Sequence, residues 1–115
     1  MSIVLERLRQ HWWALTDDDG LDIPLTTVNQ VNILGERPIH IAAWKGEVAD
    51  IQWLLENGAD INARGEYGMT PLHYAYMGGR QENVSALLSA GVDKNLRCDR
   101  GLLASDGRPN IEISR

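Results

Sequence analysis

The chain has 115 residues, 43% of them hydrophobic and 23% charged, which fits one globular domain with a buried core rather than a disordered protein. Its net charge of −5 comes without any basic stripe of Lys and Arg, so the electrostatic footprint of a nucleic-acid binder is missing and nucleic acid is not an expected partner. The lone Cys98 excludes an internal disulfide. Ile3-Val4-Leu5 is too short for a signal-peptide core before Glu6 intervenes, and no stretch approaches membrane-spanning length, so a cytoplasmic protein is expected.

Leu5, Leu8, Trp12 and Leu15 alternate spacings of three and four, which predicts an amphipathic helix over residues 3–15 with Ser2 as N-cap. Asp17-Asp18-Asp19-Gly20 stops it, and Pro24 with Thr26 and Thr27 predicts an irregular connector to Val28-Asn29. Pro38 sits where a helix best tolerates proline, at its first position, and opens a short helix through Ala43 that Gly46 ends. A second helix is expected from about Val48 to Asn57, with Gly58 closing it in the left-handed conformation. Ala59-Asp60-Ile61-Asn62 then leads into a turn around Arg64 to Gly68. Thr70 is a proper N-cap before Pro71, with a helix to Tyr76 or Met77, a further helix around Gln81 to Ser89, and Gly91 as terminator. Gly107-Arg108-Pro109 breaks any later helix.

Two of these tracts are one pattern written twice. Arg37-Pro38-Ile39-His40-Ile41-Ala42-Ala43 returns as Thr70-Pro71-Leu72-His73-Tyr74-Ala75-Tyr76, 33 positions later. The echo continues through Gly46 and Gly79, Leu54-Leu55 and Leu87-Leu88, Gly58 and Gly91, Asp60 and Asp93, and Asn62 and Asn95. A unit of that length carrying a Thr-Pro-Leu-His word resembles the ankyrin repeat. The resemblance covers Gly35 to Gly101 and implies an all-α solenoid of helix-turn-helix units with hairpin loops. It divides one domain, residues 1–115, into an N-terminal capping helix and partial unit (1–34), repeat one (35–67), repeat two (68–100), and a degenerate partial repeat with tail (101–115).

About three repeats are normally needed to bury such a core, so two full units require caps. The N-terminal helix is expected to seal one end, and Leu96, Leu102 and Leu103 the other. Departures from the family pattern mark weak points. Arg37 stands where the capping hydroxyl should be. Asp50 and Asn83 occupy a position where the family carries Ile or Val, predicting a more polar or more open seam, and Tyr76 replaces an Ala.

Catalytic and metal-binding readings fare poorly. His40 and His73 are equivalent residues on helices expected roughly 8–10 Å apart, whereas two ligands of one zinc must each come within about 2.1 Å of it. The resemblance makes these histidines structural, bonding within and between repeats, and packing is the default role for His11. The Asp17 to Asp22 cluster fails the calcium-loop template: with Gly20 at the sixth position, Leu15 falls at the first and Thr26 where a bidentate Glu is required. Cys98 has no neighbouring base, and no phosphate-binding or nucleophile-elbow motif occurs. The expectation is a non-enzyme without metal or cofactor.

Partners of ankyrin proteins generally meet a concave side built from hairpin tips and inner-helix positions. Carried over residue by residue, these are Ile33, Leu34, Glu36, Trp44 and Lys45, then Arg64, Glu66, Tyr67, Met69 and Met77, and finally Arg97, Asp99 and Arg100. Trp, Tyr, Met and Arg are enriched at protein interfaces, and Trp44 and Met77 fall at one repeat position. The alternative is that Trp44 packs on Tyr76 or a neighbouring repeat as core. A lone small module is expected to bind and mask one partner protein, and its acidity suits a basic one. A specific version is an immunity protein that neutralises a toxin encoded beside it. Self-association through the degenerate end repeats, as a homodimer or longer stack instead of a monomer, is the competing reading, and an enzyme with an unrecognised site is a third.

Overall fold

The computed structural model describes residues 3–106, so the Ser2 cap and the break at Gly107-Arg108-Pro109 lie outside the described residues. Five α-helices follow in order: α1 (Ile3–Leu8), α2 (Pro38–Lys45), α3 (Val48–Glu56), α4 (Pro71–Gly78) and α5 (Gln81–Ser89). Short 3-10 turns occupy Arg9–His11, Glu66–Gly68 and Ala104–Asp106. Among the described residues the only β-pairings are isolated bridges, Thr16 with Asp22 and Arg97 with Leu103. The molecule is all-α, as expected.

The two helix pairs stack in register, α2 against α4 and α3 against α5. One core runs through both layers. Ile39, Ile41, Ala42 and Ala43 of α2 meet Leu72, Tyr74 and Ala75 of α4, with Ile51, Leu54, Val84 and Leu87 from the outer helices behind them. Each large apolar side chain buried this way contributes roughly 1.5–3 kcal/mol. The outer helices close as the sequence predicts: Gly58 and Gly91 have φ of 93° and 91°, and their amides bond back to the carbonyls of Leu55 and Leu88. Gly78 serves a different purpose, since a Cβ there would overlap the backbone carbonyl of Trp44. Its bare Cα lets α4 press against the C-terminal end of α2.

The N-terminal segment departs from expectation. Helix α1 ends at Leu8, the 3-10 turn ends at His11, and the chain then runs extended. Ile23 N–H donates to the Leu15 carbonyl at 2.7 Å, and Asp17 Oδ1 accepts the amides of Asp19 and Leu21, both at 2.9 Å. Asp17 therefore folds the acidic tract into a hairpin turn, where a helix stop was expected. Leu15 consequently leaves the apolar stripe and is 43% exposed, while Val4, Leu5 and Leu8 are buried and Trp12 packs at the core edge. Arg9 pins the connector by donating to the carbonyl of Leu25, which is buried.

At the other end, the 3-10 turn Ala104–Asp106 rests on α4, with Ala104 buried and Leu102 packed on the core. Leu103 N–H donates to Asp106 Oδ2 at 2.7 Å. These residues stand 33 positions after Thr70 and His73, so Asp106 makes the cap bond that the motif histidine makes in a full unit.

Candidate functional site

The motif histidines hold hydrogen bonds at both ring nitrogens. His40 Nδ1 accepts the Arg37 amide at 2.9 Å, and His73 Nδ1 lies 3.2 Å from the Thr70 amide and 2.8 Å from its hydroxyl. An amide only donates, so each Nδ1 must carry a lone pair and each Nε2 the proton. Those protons go to the carbonyls of Ala63 (2.8 Å) and Leu102 (2.9 Å) in the hairpins beyond. Burial pushes the His40 pKa down to about 4 and lowers that of His73 as well. With both lone pair and proton engaged, neither ring can ligate a metal or take a proton without breaking its cap.

The polar position on the outer helices is engaged by hydrogen bonds, with Asn83 Oδ1 alone left buried and without a partner. Asn83, fully buried, donates through Nδ2 to the carbonyls of Ala43 (3.2 Å) and Gly46 (3.0 Å), capping the end of α2, and Arg80 donates to the same Gly46 carbonyl at 2.8 Å. Asp50, its equivalent one repeat earlier, has no donor to offer. It therefore accepts, from the Glu47 amide at 2.9 Å and from the Arg7 guanidinium of α1, with which it forms an ion pair. The shared polarity of Asp50 and Asn83 was visible in the repeat, but their partners lie some 40 residues away in the chain.

Among the residues assigned to the partner face, the hairpin arginines fasten successive units. Arg64 donates to the carbonyls of Gly68 (3.0 Å) and Arg97 (2.6 Å), and Arg97 in turn to Gly101 (2.6 Å). The Asp99 amide donates to the Tyr67 carbonyl at 2.9 Å, joining the two hairpin tips. Tyr67 is 42% exposed and adopts φ 57°, the left-handed region that side chains rarely enter. Ile33, Lys45 and Arg100 are exposed, and Leu34, Glu66 and Met77 half-buried. One oxygen of Glu66 has no partner and burial raises its pKa.

Trp44 is half-buried. It meets Tyr74 edge-on at 6.5 Å, rather than Tyr76, and carries the Lys45 ammonium 4.4 Å above its ring. Met77, at the equivalent position of α4, also packs partly on the core.

Two assignments to the exposed face are wrong. Met69 is fully buried in the core, and Glu36 is likewise 0% exposed. Glu36 accepts from Asn32 Nδ2 at 2.9 Å and from the Tyr74 hydroxyl at 2.7 Å, and Tyr74 in turn accepts the Glu66 amide at 3.1 Å. This network ties the connector before α2 to α4 and to the following hairpin. Sequence reasoning missed it because a charged residue flanking a motif reads as solvent-facing unless its donors are known.

Paired helices in a 33-residue register, joined by hairpins fastened unit to unit, define a helical-repeat solenoid. A family model described as ankyrin repeats, in three copies, matches residues 14–98, and the chain belongs to the ankyrin-repeat family. No significant match was found among curated proteins. Ankyrin repeats are generally protein-protein interaction modules. No helix among the described residues is long and apolar enough to cross a membrane.

Proposed function

We propose that the chain is a non-enzymatic recognition module that binds and masks one partner protein through its inner-helix and hairpin face. The observation that carries this reading is Trp44: a large aromatic left half-exposed at the end of α2, with Lys45 stacked on it, in a core that buries Ile41, Ala42 and Ala43 completely. Gly78 against the Trp44 carbonyl supports a shared row for Trp44 and Met77. Lys45 beside Trp44, and Tyr67 and Arg100 in the hairpins, supply exposed aromatic and charged groups.

A net charge of −5 favours a basic partner, and a toxin neutralised by this chain in the cytoplasm is the specific version of the proposal. The test is affinity capture from native lysate with wild-type and Trp44→Ala baits, read by quantitative mass spectrometry alongside melting curves. Enrichment of one protein by the wild type, lost in Trp44→Ala at unchanged stability, is expected. Equal capture by both baits removes Trp44 as an anchor, and a large fall in stability makes it core. Absence of a toxin-like neighbouring gene defeats the specific version alone.

A further inference from the structure

We propose a second docking surface on the N-terminal hairpin, separate from the inner-helix face, that takes a basic partner segment carrying apolar anchors. The Thr16 to Asp22 bridge is antiparallel and sets Leu15 opposite Ile23. Side chains two apart on an extended chain share a face, so Trp13, Leu15, Leu21 and Ile23 fall on one side of the ribbon. These four are 41%, 43%, 65% and 38% exposed, and the Ile33 amide holds the ribbon in place through the Trp13 carbonyl at 2.9 Å. Neighbouring apolar side chains left this open on a small protein mark an interaction site.

Charge decides the occupant. Asp17, Asp18 and Asp19, all exposed, form the turn at one end of the apolar face, while Asp22, opposite Thr16, lies on the other side of the ribbon. From Trp12 to Glu36 the chain contains no Lys, Arg or His. An apolar patch with an acidic rim is complementary to a segment that interleaves large apolar residues with Lys or Arg, and the rim steers such a segment in. A second copy fits badly, because its own equivalent face is acidic and offers this rim no Lys or Arg.

The probe is a synthetic peptide of alternating lysine and leucine, titrated into the isotope-labelled full chain and followed by amide NMR shifts. Shifts should concentrate over residues 13–23. Replacing leucine by serine in the peptide, or making Leu15→Ser with Ile23→Ser in the protein, should weaken binding about tenfold or more, as loss of apolar anchors does. Asp18→Asn with Asp19→Asn should weaken binding and flatten its salt dependence. Asp17 is left intact because it builds the turn. Should the double serine variant lose its native amide pattern, Leu21→Ser alone gives the same readout. Trp44→Ala should leave this binding unchanged, which separates the two surfaces. Shifts spread over the whole acidic surface, equal binding of the lysine-serine peptide, or a wild-type dimer that Leu15→Ser with Ile23→Ser turns into monomer would each overturn the proposal.

Discussion

At the scale of single residues, function and stability part company at the histidines and at the Asp50 position. His40 is held neutral by a donor on Nδ1 and by burial, with a folded pKa of about 4. The unfolded chain takes up that proton near 6.5. The contribution of His40 is therefore complete above pH 6.5 and is lost as pH falls from 6.5 toward about 4, by about 3 kcal/mol. Urea unfolding between pH 8 and pH 4 should show this loss, and His40→Gln should be less stable with a shallower pH slope. Arg7→Ala should cost about 1–3 kcal/mol, because it strands a buried carboxylate. The added substitution Asp50→Ile, the family-like residue, should recover most of that loss. Equal stability of Arg7→Ala and the wild type in denaturant titrations would show that the ion pair contributes nothing.

At the scale of elements, helix capping separates the two repeats. Thr70 gives both its amide and its hydroxyl to His73 Nδ1, whereas Arg37 gives His40 its amide alone. Arg37→Thr should therefore stabilise the chain by about 0.5–1 kcal/mol, measurable as a higher melting temperature. The helix pairs were legible in the sequence because their signals are local. Pro38 and Pro71 fix the starts, and Gly58 and Gly91 fix the ends through their own backbone freedom. The N-terminal helix is shorter than the 3–15 spacing predicts for a related reason. Its spacing is helical through Leu15, but the Asp17 side chain and the Ile23 amide offer the backbone after Trp12 a hairpin instead.

At the scale of the whole molecule, the array depends on its ends. Helix α1 buries Val4, Leu5 and Leu8 beside α2 and α3 and supplies the counter-charge for Asp50. Deletion of residues 1–20 should unfold or aggregate the protein, observed as loss of the melting transition and of the monomer peak in gel filtration. A truncated monomer with an unchanged melting curve would show that α1 is not a cap. Ladders that cross the unit boundaries carry the same dependence. Asn29 accepts the Asp60 amide at 3.2 Å and Asn62 accepts the Asp93 amide at 2.8 Å, so each unit finishes the hydrogen bonding of the next.

The sequence by itself determined the repeat length, the helix pairs and their terminators, because each follows from local geometry recurring at one period, and the ankyrin resemblance it carries implied the structural role of His40 and His73. The tertiary structure alone decided the fate of the polar residues. Glu36 became a buried strut between Asn32 and Tyr74, Asp50 a dock for Arg7, and Asn83 a cap on α2, since hydrogen-bond satisfaction depends on partners that only the folded chain brings within reach. It likewise turned the Asp17 tract into a hairpin that leaves Ile23 facing solvent together with Leu15, the residue that helical spacing alone places on the apolar stripe.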